Sequence, residues 1–166
     1  MKIKIKYHQG AKKIAQHGNW IDLFPRKDYF LQAPKPMVNT VTEVTEIIFD
    51  SIFVDLGISM KLPKYFEANM LPRSSSFIKQ GVIMANSQGI IDTNYSGEAD
   101  IWKFPAIALK ETKLTSKKAI TQFKIQPSMD APWWIKLKWL FNSKINFIEV
   151  DVLTDPSRGG FGTSDK

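Results

Sequence analysis

The chain has 166 residues, 43% of them hydrophobic, enough for one sizeable core and too few for two ordinary domains. It contains no cysteine, which excludes a disulfide framework, a thiol nucleophile and every thiolate metal site, and makes the reducing cytoplasm the expected location. Lys and Arg outnumber Asp and Glu by 23 to 16, a net +7 that favours an anionic partner without choosing among nucleotide, nucleic acid and membrane surface.

The opening residues MKIKIKYHQG alternate Ile3, Ile5 and Tyr7 with Lys2, Lys4 and Lys6, the pattern of a half-buried strand with a solvated lysine face. A signal peptide needs a solid apolar block there, and no apolar run approaches the roughly 20 residues that cross a bilayer. The protein is therefore expected to be soluble and unprocessed, with no membrane association. Further β-like runs cover residues 38–44, 47–49, 52–60, 66–71, 81–85, 101–110, 120–125 and 145–153, separated by turn-rich breaks such as LPK, LPRSSS, NSQG and TSKK. Many short strands without βαβ spacing predict an all-β barrel or jelly roll. One segment differs: Asp130, Ala131 and Pro132 can cap and start a short helix through WWIKLKWLFN, with Trp133, Trp134, Leu137, Leu140 and Phe141 on one side. The same residues also alternate as a strand would, so both forms stay open. The chain closes on a tail, residues 155–166, rich in Gly, Ser and Asp, which reads as flexible after a barrel domain of residues 1–154.

Four separated segments carry groups suited to phosphate chemistry. LPRSSSF offers the hydroxyls of Ser74 and Ser75, backbone N–H groups and Arg73 in a polar turn, although an ordinary Ser-rich turn has the same composition. NSQGIIDTNYSGE sets Asn86 before Gly89, Ile90, Ile91, Asp92 and Tyr95. A glycine hairpin there exposes backbone donors and acceptors to a flat base, and a neighbouring Asp can hold a water, while a plain β-hairpin accounts for the same residues equally well. ITQFKI interrupts an apolar strand with Gln122. SRGGFGTS supplies Arg158, Phe161, Thr163 and Ser164 on a Gly-rich segment able to wrap a phosphate chain and stack on a base.

In this order the segments resemble motifs two to five of the trimeric dUTPase family, and GNWIDLF, with its Asp22-Leu23 pair, resembles motif one more weakly. The resemblance implies a dUTPase-like β-barrel or jelly roll that hydrolyses dUTP to dUMP and pyrophosphate. It assigns Asp92 the attacking water, Tyr95 the floor under the deoxyribose, and the stretch from Asn86 to Asp92 the reading of uracil. Arg73, Ser74, Ser75 and Gln122 would contact phosphates, Phe161 would cover the base, and Arg158, Thr163 and Ser164 would reach the terminal phosphates. It also implies Mg2+ chelated by the triphosphate, with Asp22 helping through bound water, and a homotrimer in which one subunit's tail closes a neighbour's pocket.

Departures from the family pattern are local. Lys117-Lys118-Ala119 stands where Gly-Asp-Arg is usual in motif four, and Arg158 directly precedes GGFG in motif five. Residues 25–44 and 133–141 look like insertions, of the kind expected in a phage or Gram-positive bacterial branch. Two other readings share the scaffold: a nucleotide-binding regulatory protein contacting a protein partner through the insertions, and a dCTP deaminase. Against the deaminase, IWKFPAIAL carries no Glu to shuttle a proton. The positive residues form no dense block, so dedicated nucleic-acid binding is not expected. His8 and His17, without Cys or ligand-spaced partners, read as surface residues rather than zinc ligands.

Overall fold

The computed structural model describes residues 1–160. Its first strand, β1 (Lys2–Tyr7), buries Ile3 and Ile5 while Lys2 and Lys4 face out, as the alternation predicts. The other strands are β2 (Ala15–Gln16), β3 (Ile21–Leu23), β4 (Tyr29–Leu31), β5 (Lys35–Val38), β6 (Thr45–Ile48), β7 (Ser51–Asp55), β8 (Ile58–Lys61), β9 (Phe66–Pro72), β10 (Val82–Met84), β11 (Gly89–Ile91), β12 (Lys103–Ala108), β13 (Thr112–Leu114), β14 (Thr121–Pro127) and β15 (Asn146–Glu149). Two short helices, α1 (Ser74–Ile78) and α2 (Trp133–Phe141), complete the described elements. None of the described helices is long and apolar enough to cross a membrane.

Small sheets fold over one another in the order β15-β1-β8, β10-β12-β7 and β11-β9-β14-β3-β2, with β13-β4 and β5-β6 as separate pairs. Almost every pairing is antiparallel; β1 with β15 is parallel, Lys2 opposite Asn146. Inward residues of these sheets meet in one core around Trp102, Phe104, Phe123, Ile58 and Met60. Trp102 and Phe123 pack edge to face at 5.2 Å, an arrangement that adds to the roughly 1.5–3 kcal/mol of burying each large apolar side chain.

Four local expectations change. Residues 38–44 are the end of β5 and a hairpin tip, because the Asn39 carboxamide accepts from the N–H groups of Val41 and Thr42 and Glu43 takes φ 55°. The run 52–60 breaks at Leu56-Gly57, where Gly57 has φ +69° and its N–H donates to the Asp55 carboxylate at 2.6 Å. The RSSS segment forms α1 instead of an open turn. Ser76, fully buried, donates to the Ile120 carbonyl at 2.5 Å, and Gln80, just past the helix, donates to the Ala119 carbonyl at 3.1 Å, holding α1 against the segment that leads into β14.

The segment left open between helix and strand is the helix α2. Trp139 packs on Phe66 at 5.4 Å, and Trp133, Trp134, Leu137, Leu140 and Phe141, the residues expected to share one side, are exposed. Its N-cap is Pro132 rather than Asp130, whose carboxylate accepts from Ser128 instead.

Candidate active site

The segment from Met84 to Gly89 is a corner between two sheets rather than a simple hairpin: β10 pairs with β12, whereas β11 pairs with β9. Ser87 at φ 57° makes the bend, and the Gln88 carboxamide ties it to Asn69 at 2.6 Å. The corner leaves β11 as the edge strand of the five-stranded sheet. Along its outer side the backbone N–H and C=O groups have no strand partner among the described residues, an arrangement open to a flat hydrogen-bonding ligand.

A cavity of about 250 Å³ opens beside this edge, lined by Asn86, Gly89, Ile90, Ile91, Asp92 and Tyr95 together with Trp102, Lys103, Arg158, Gly159 and Gly160. Asp92 starts an Asx turn, its Oδ1 accepting from the N–H groups of Asn94 at 2.8 Å and Tyr95 at 3.2 Å. That turn swings Tyr95 back over the cavity, where its hydroxyl donates to the Ile101 carbonyl at 3.0 Å. Burial, and then the negative charge of Asp100, push the Tyr95 phenol above its ordinary pKa, so it stays neutral. The other oxygen of Asp92 receives the Arg158 guanidinium at 2.7 Å.

Three of the predicted phosphate residues, Arg73, Ser75 and Gln122, gather in a separate place beside Asp22. Asp22, on β3, is buried and ion-paired to Arg73 at 3.2 Å. Both line a cleft of about 560 Å³ with Ser75, His17 and a wall of lysines, Lys12, Lys79, Lys113, Lys117 and Lys118. They also line a smaller pocket with Gln122, which sits opposite Leu71 and Asp22 in the sheet register. Ser74 is exposed at the start of α1. Lys117 and Lys118, which replace the usual motif-four residues, thus place positive charge in the same cleft as Arg73.

Among the described residues no three His, Cys, Asp or Glu side chains converge as a metal cage. Asp22 offers one carboxylate, already opposed by Arg73, so the donor set fits a cation that arrives on substrate phosphates and not one held by the protein alone. His17 lies exposed in the lysine cleft, whereas His8 is partly buried and hydrogen-bonded to the Ser59 hydroxyl at 2.9 Å, which corrects its reading as a surface residue. Phe161, Thr163 and Ser164 lie outside the described residues.

Residues 158–160 line the cavity beside β11, and Ser157 accepts a hydrogen bond from the Ala99 N–H next to it. Asp100, a residue not singled out from the sequence, holds them there. It is 1% exposed and accepts from the N–H groups of Gly97, Arg158 and Gly159 at 2.9–3.1 Å. Trp102 and Lys103 also line the cavity without having been foreseen.

No family model matches the chain. The sequence is 35% identical to an SPbeta prophage-derived deoxyuridine 5'-triphosphate nucleotidohydrolase of Bacillus subtilis, YosS, over 99% of this chain and 98% of that protein. It is 33% identical to a deoxyuridine 5'-triphosphate nucleotidohydrolase of Clostridium tetani, covering 99% and 97%. Among solved structures, a dUTPase from Streptococcus mutans superposes with TM-score 0.62 at 14% identity, covering 78% of this chain and 98% of that one. A dUTPase from phage phi11 of S. aureus, described as coordinating a structural Mg(II) ion, gives 0.58 at 10% identity, over 78% and 93%. These superpositions identify the described strands as the β-rich jelly roll of those proteins. The unequal coverage also means that this chain carries segments the S. mutans protein lacks.

Proposed function

Because the chain belongs to the deoxyuridine 5'-triphosphate nucleotidohydrolase family, we infer that it is a dUTP diphosphatase, converting dUTP to dUMP and pyrophosphate. The observation that carries the site assignment is the single cavity in which an edge strand, Asp92 and Tyr95 meet. The backbone of Asn86 to Ile91 reads the edge of uracil, and the half-buried Tyr95 closes the space under the sugar, so that a 2′-hydroxyl has no room. Asp92 orients a water and takes its proton. The water oxygen forms a bond to the α-phosphorus, the bond from that phosphorus to the bridging oxygen breaks, and pyrophosphate leaves with the electron pair.

Arg73, Ser74, Ser75 and Gln122 bind the phosphates, and the lysine cleft stabilises charge on the leaving group. Mg2+ chelated by the triphosphate would neutralise its oxygens, and Asp22 would help to hold it through bound water. In the free enzyme Arg158 is occupied by Asp92, so substrate entry requires this guanidinium to exchange a carboxylate for phosphate oxygens, joined by Phe161, Thr163 and Ser164 of the tail.

A homotrimer is supported by the separation of the two half-sites, since the cavity at Asp92 and the cleft at Arg73 share no lining residue. Exposed Ile52, Phe53 and Ile83 on the β10-β12-β7 sheet supply an apolar face for subunit contact. The placement is cytoplasmic, in a bacterium or in the host of a phage. The test is incubation of purified protein with each nucleoside triphosphate and Mg2+, followed by product identification. dUMP and pyrophosphate from dUTP alone are expected; ammonia, inorganic phosphate or no product would reject the assignment.

A further inference from the structure

We propose that the β5–β6 hairpin of one subunit docks on the outer face of α2 in a second copy of the chain. At about 3.6 residues per turn, Leu140, Trp133, Leu137, Phe141 and Trp134 form one exposed stripe, roughly a third of the helix circumference wide. Ile135 and Trp139, on the opposite side, are partly buried, so the stripe faces away from its own barrel. Lys136 and Lys138 flank it on either side, and residues 131–148 contain no Asp or Glu. A contiguous apolar patch with a charged rim marks an interaction site, and this rim calls for negative charge on the partner.

The hairpin is the complementary surface. Every residue from 35 to 49 is exposed, and two strands with nothing packed on either face are marginal in water. The register sets Met37 opposite Glu46, and Val44 and Ile48 share that face by the alternation of the strand. Val41, 89% exposed, and Glu43 stand at the tip. Residues 36–49 hold these two glutamates and no Lys or Arg, in a chain whose net charge is +7. The hairpin's apolar side chains can cover the tryptophans while its carboxylates meet the lysines.

Two α2 stripes laid face to face would instead oppose Lys136 and Lys138 of each copy, with no acid nearby to offset them. That contact would also be self-complementary, which closes a pair, whereas hairpin on helix is the head-to-tail kind that a threefold ring uses. The hairpin runs on into β7, whose Ile52 and Phe53 belong to the face offered for subunit contact. An anionic lipid surface would suit the stripe and its lysines but leave the bare hairpin without a partner.

Because the chain has no cysteine, an introduced pair reports a single contact. Val41→Cys with Leu137→Cys, both at exposed positions, is oxidised with diamide in the full chain and read on a denaturing gel without reductant. Docking raises the local thiol concentration, so covalently linked chains should form about tenfold faster than in either single-cysteine variant at the same concentration. In that background Glu43→Lys with Glu46→Lys should slow linkage about tenfold, and adding Lys136→Glu with Lys138→Glu should restore it. Val44→Cys with Leu140→Cys repeats the measurement at a second point, and cooperative melting establishes that each variant is folded. Linkage no faster than in the single-cysteine variants, a bond closed within one chain, or failure of the doubly reversed protein to recover overturns the docking. Flotation of the wild type with phosphatidylglycerol vesicles in place of any linkage also overturns it and assigns the stripe to a lipid surface. None of these readouts uses dUTP, so the outcome is separate from that of the diphosphatase assay.

Discussion

Asp92→Asn separates the work of this carboxylate in folding from its work in turnover. In the fold Asp92 makes two kinds of contact: Oδ1 holds the turn through Asn94 and Tyr95, and Oδ2 pairs with Arg158. An asparagine keeps a carbonyl oxygen for the turn and loses only the ion pair, whose side chains are 49% and 46% exposed. Exposed pairs contribute about 0–1 kcal/mol, so melting should fall by no more than about 2–4 °C for a chain of this size. Tyr95 therefore stays in place and dUTP binding persists. Turnover loses its general base and should drop by about 10²–10⁴-fold. Calorimetry of the protein with and without a non-hydrolysable dUTP analogue, alongside pyrophosphate release, measures both sides. Near-wild-type turnover would refute the role of Asp92, and collapse of the fold would refute the account of the turn.

Other substitutions probe the framework. Trp102→Phe removes an indole N–H that is buried without an acceptor among the described residues, while keeping most of the ring packing, so denaturant unfolding should change by no more than about 1 kcal/mol, far less than a core Trp→Ala. Gly57→Ala should destabilise by about 1–3 kcal/mol, because φ is +69° and a Cβ would fall 2.5 Å from that of Ala11; unchanged denaturant midpoints would contradict the strain. Burial, then Lys6 and Arg26, hold the His8 pKa below its ordinary value. The unfolded chain thus takes up this proton first, and stability falls as pH drops below about 6.5 toward the folded value. His8→Gln should flatten the fall in melting temperature between pH 7.5 and 5.5 relative to the wild type, and an equal fall would dismiss His8 as its source.

What the sequence revealed depended on whether a residue's partners were near it in the chain. The period-two pattern of Ile3 and Ile5 needs only a core on one side, and β1 follows it. Asp92 and Tyr95 are three residues apart and share a local turn, so their proximity was legible before any fold was known. At 38–44, β-branched residues suggested a strand, but the Asn39 side chain competes locally for the backbone and makes a turn. The serines of α1 look like turn formers until Ser76 and Gln80 find carbonyls about 40 residues away. Asp100 was illegible for the same reason: its donors are backbone groups of a distant segment, which leave no residue type to recognise. The orientation of α2 turned on one long-range ring contact, Trp139 with Phe66, that periodicity does not encode.

The parallel pairing of β1 with β15 joins distant parts of the chain, and the Met1 amine adds a bond to the Lys144 carbonyl across 143 residues. Closing that sheet therefore waits for nearly the whole polypeptide to be available. Such closure is slow, because the loop entropy must be overcome before the contacts form. During synthesis, β8 can meet β1 early, but the opposite edge of β1 stays unpaired until residues 146–149 leave the ribosome. Since residues 158–160 follow β15 closely, the cavity beside β11 acquires that part of its lining only in the last stage of folding.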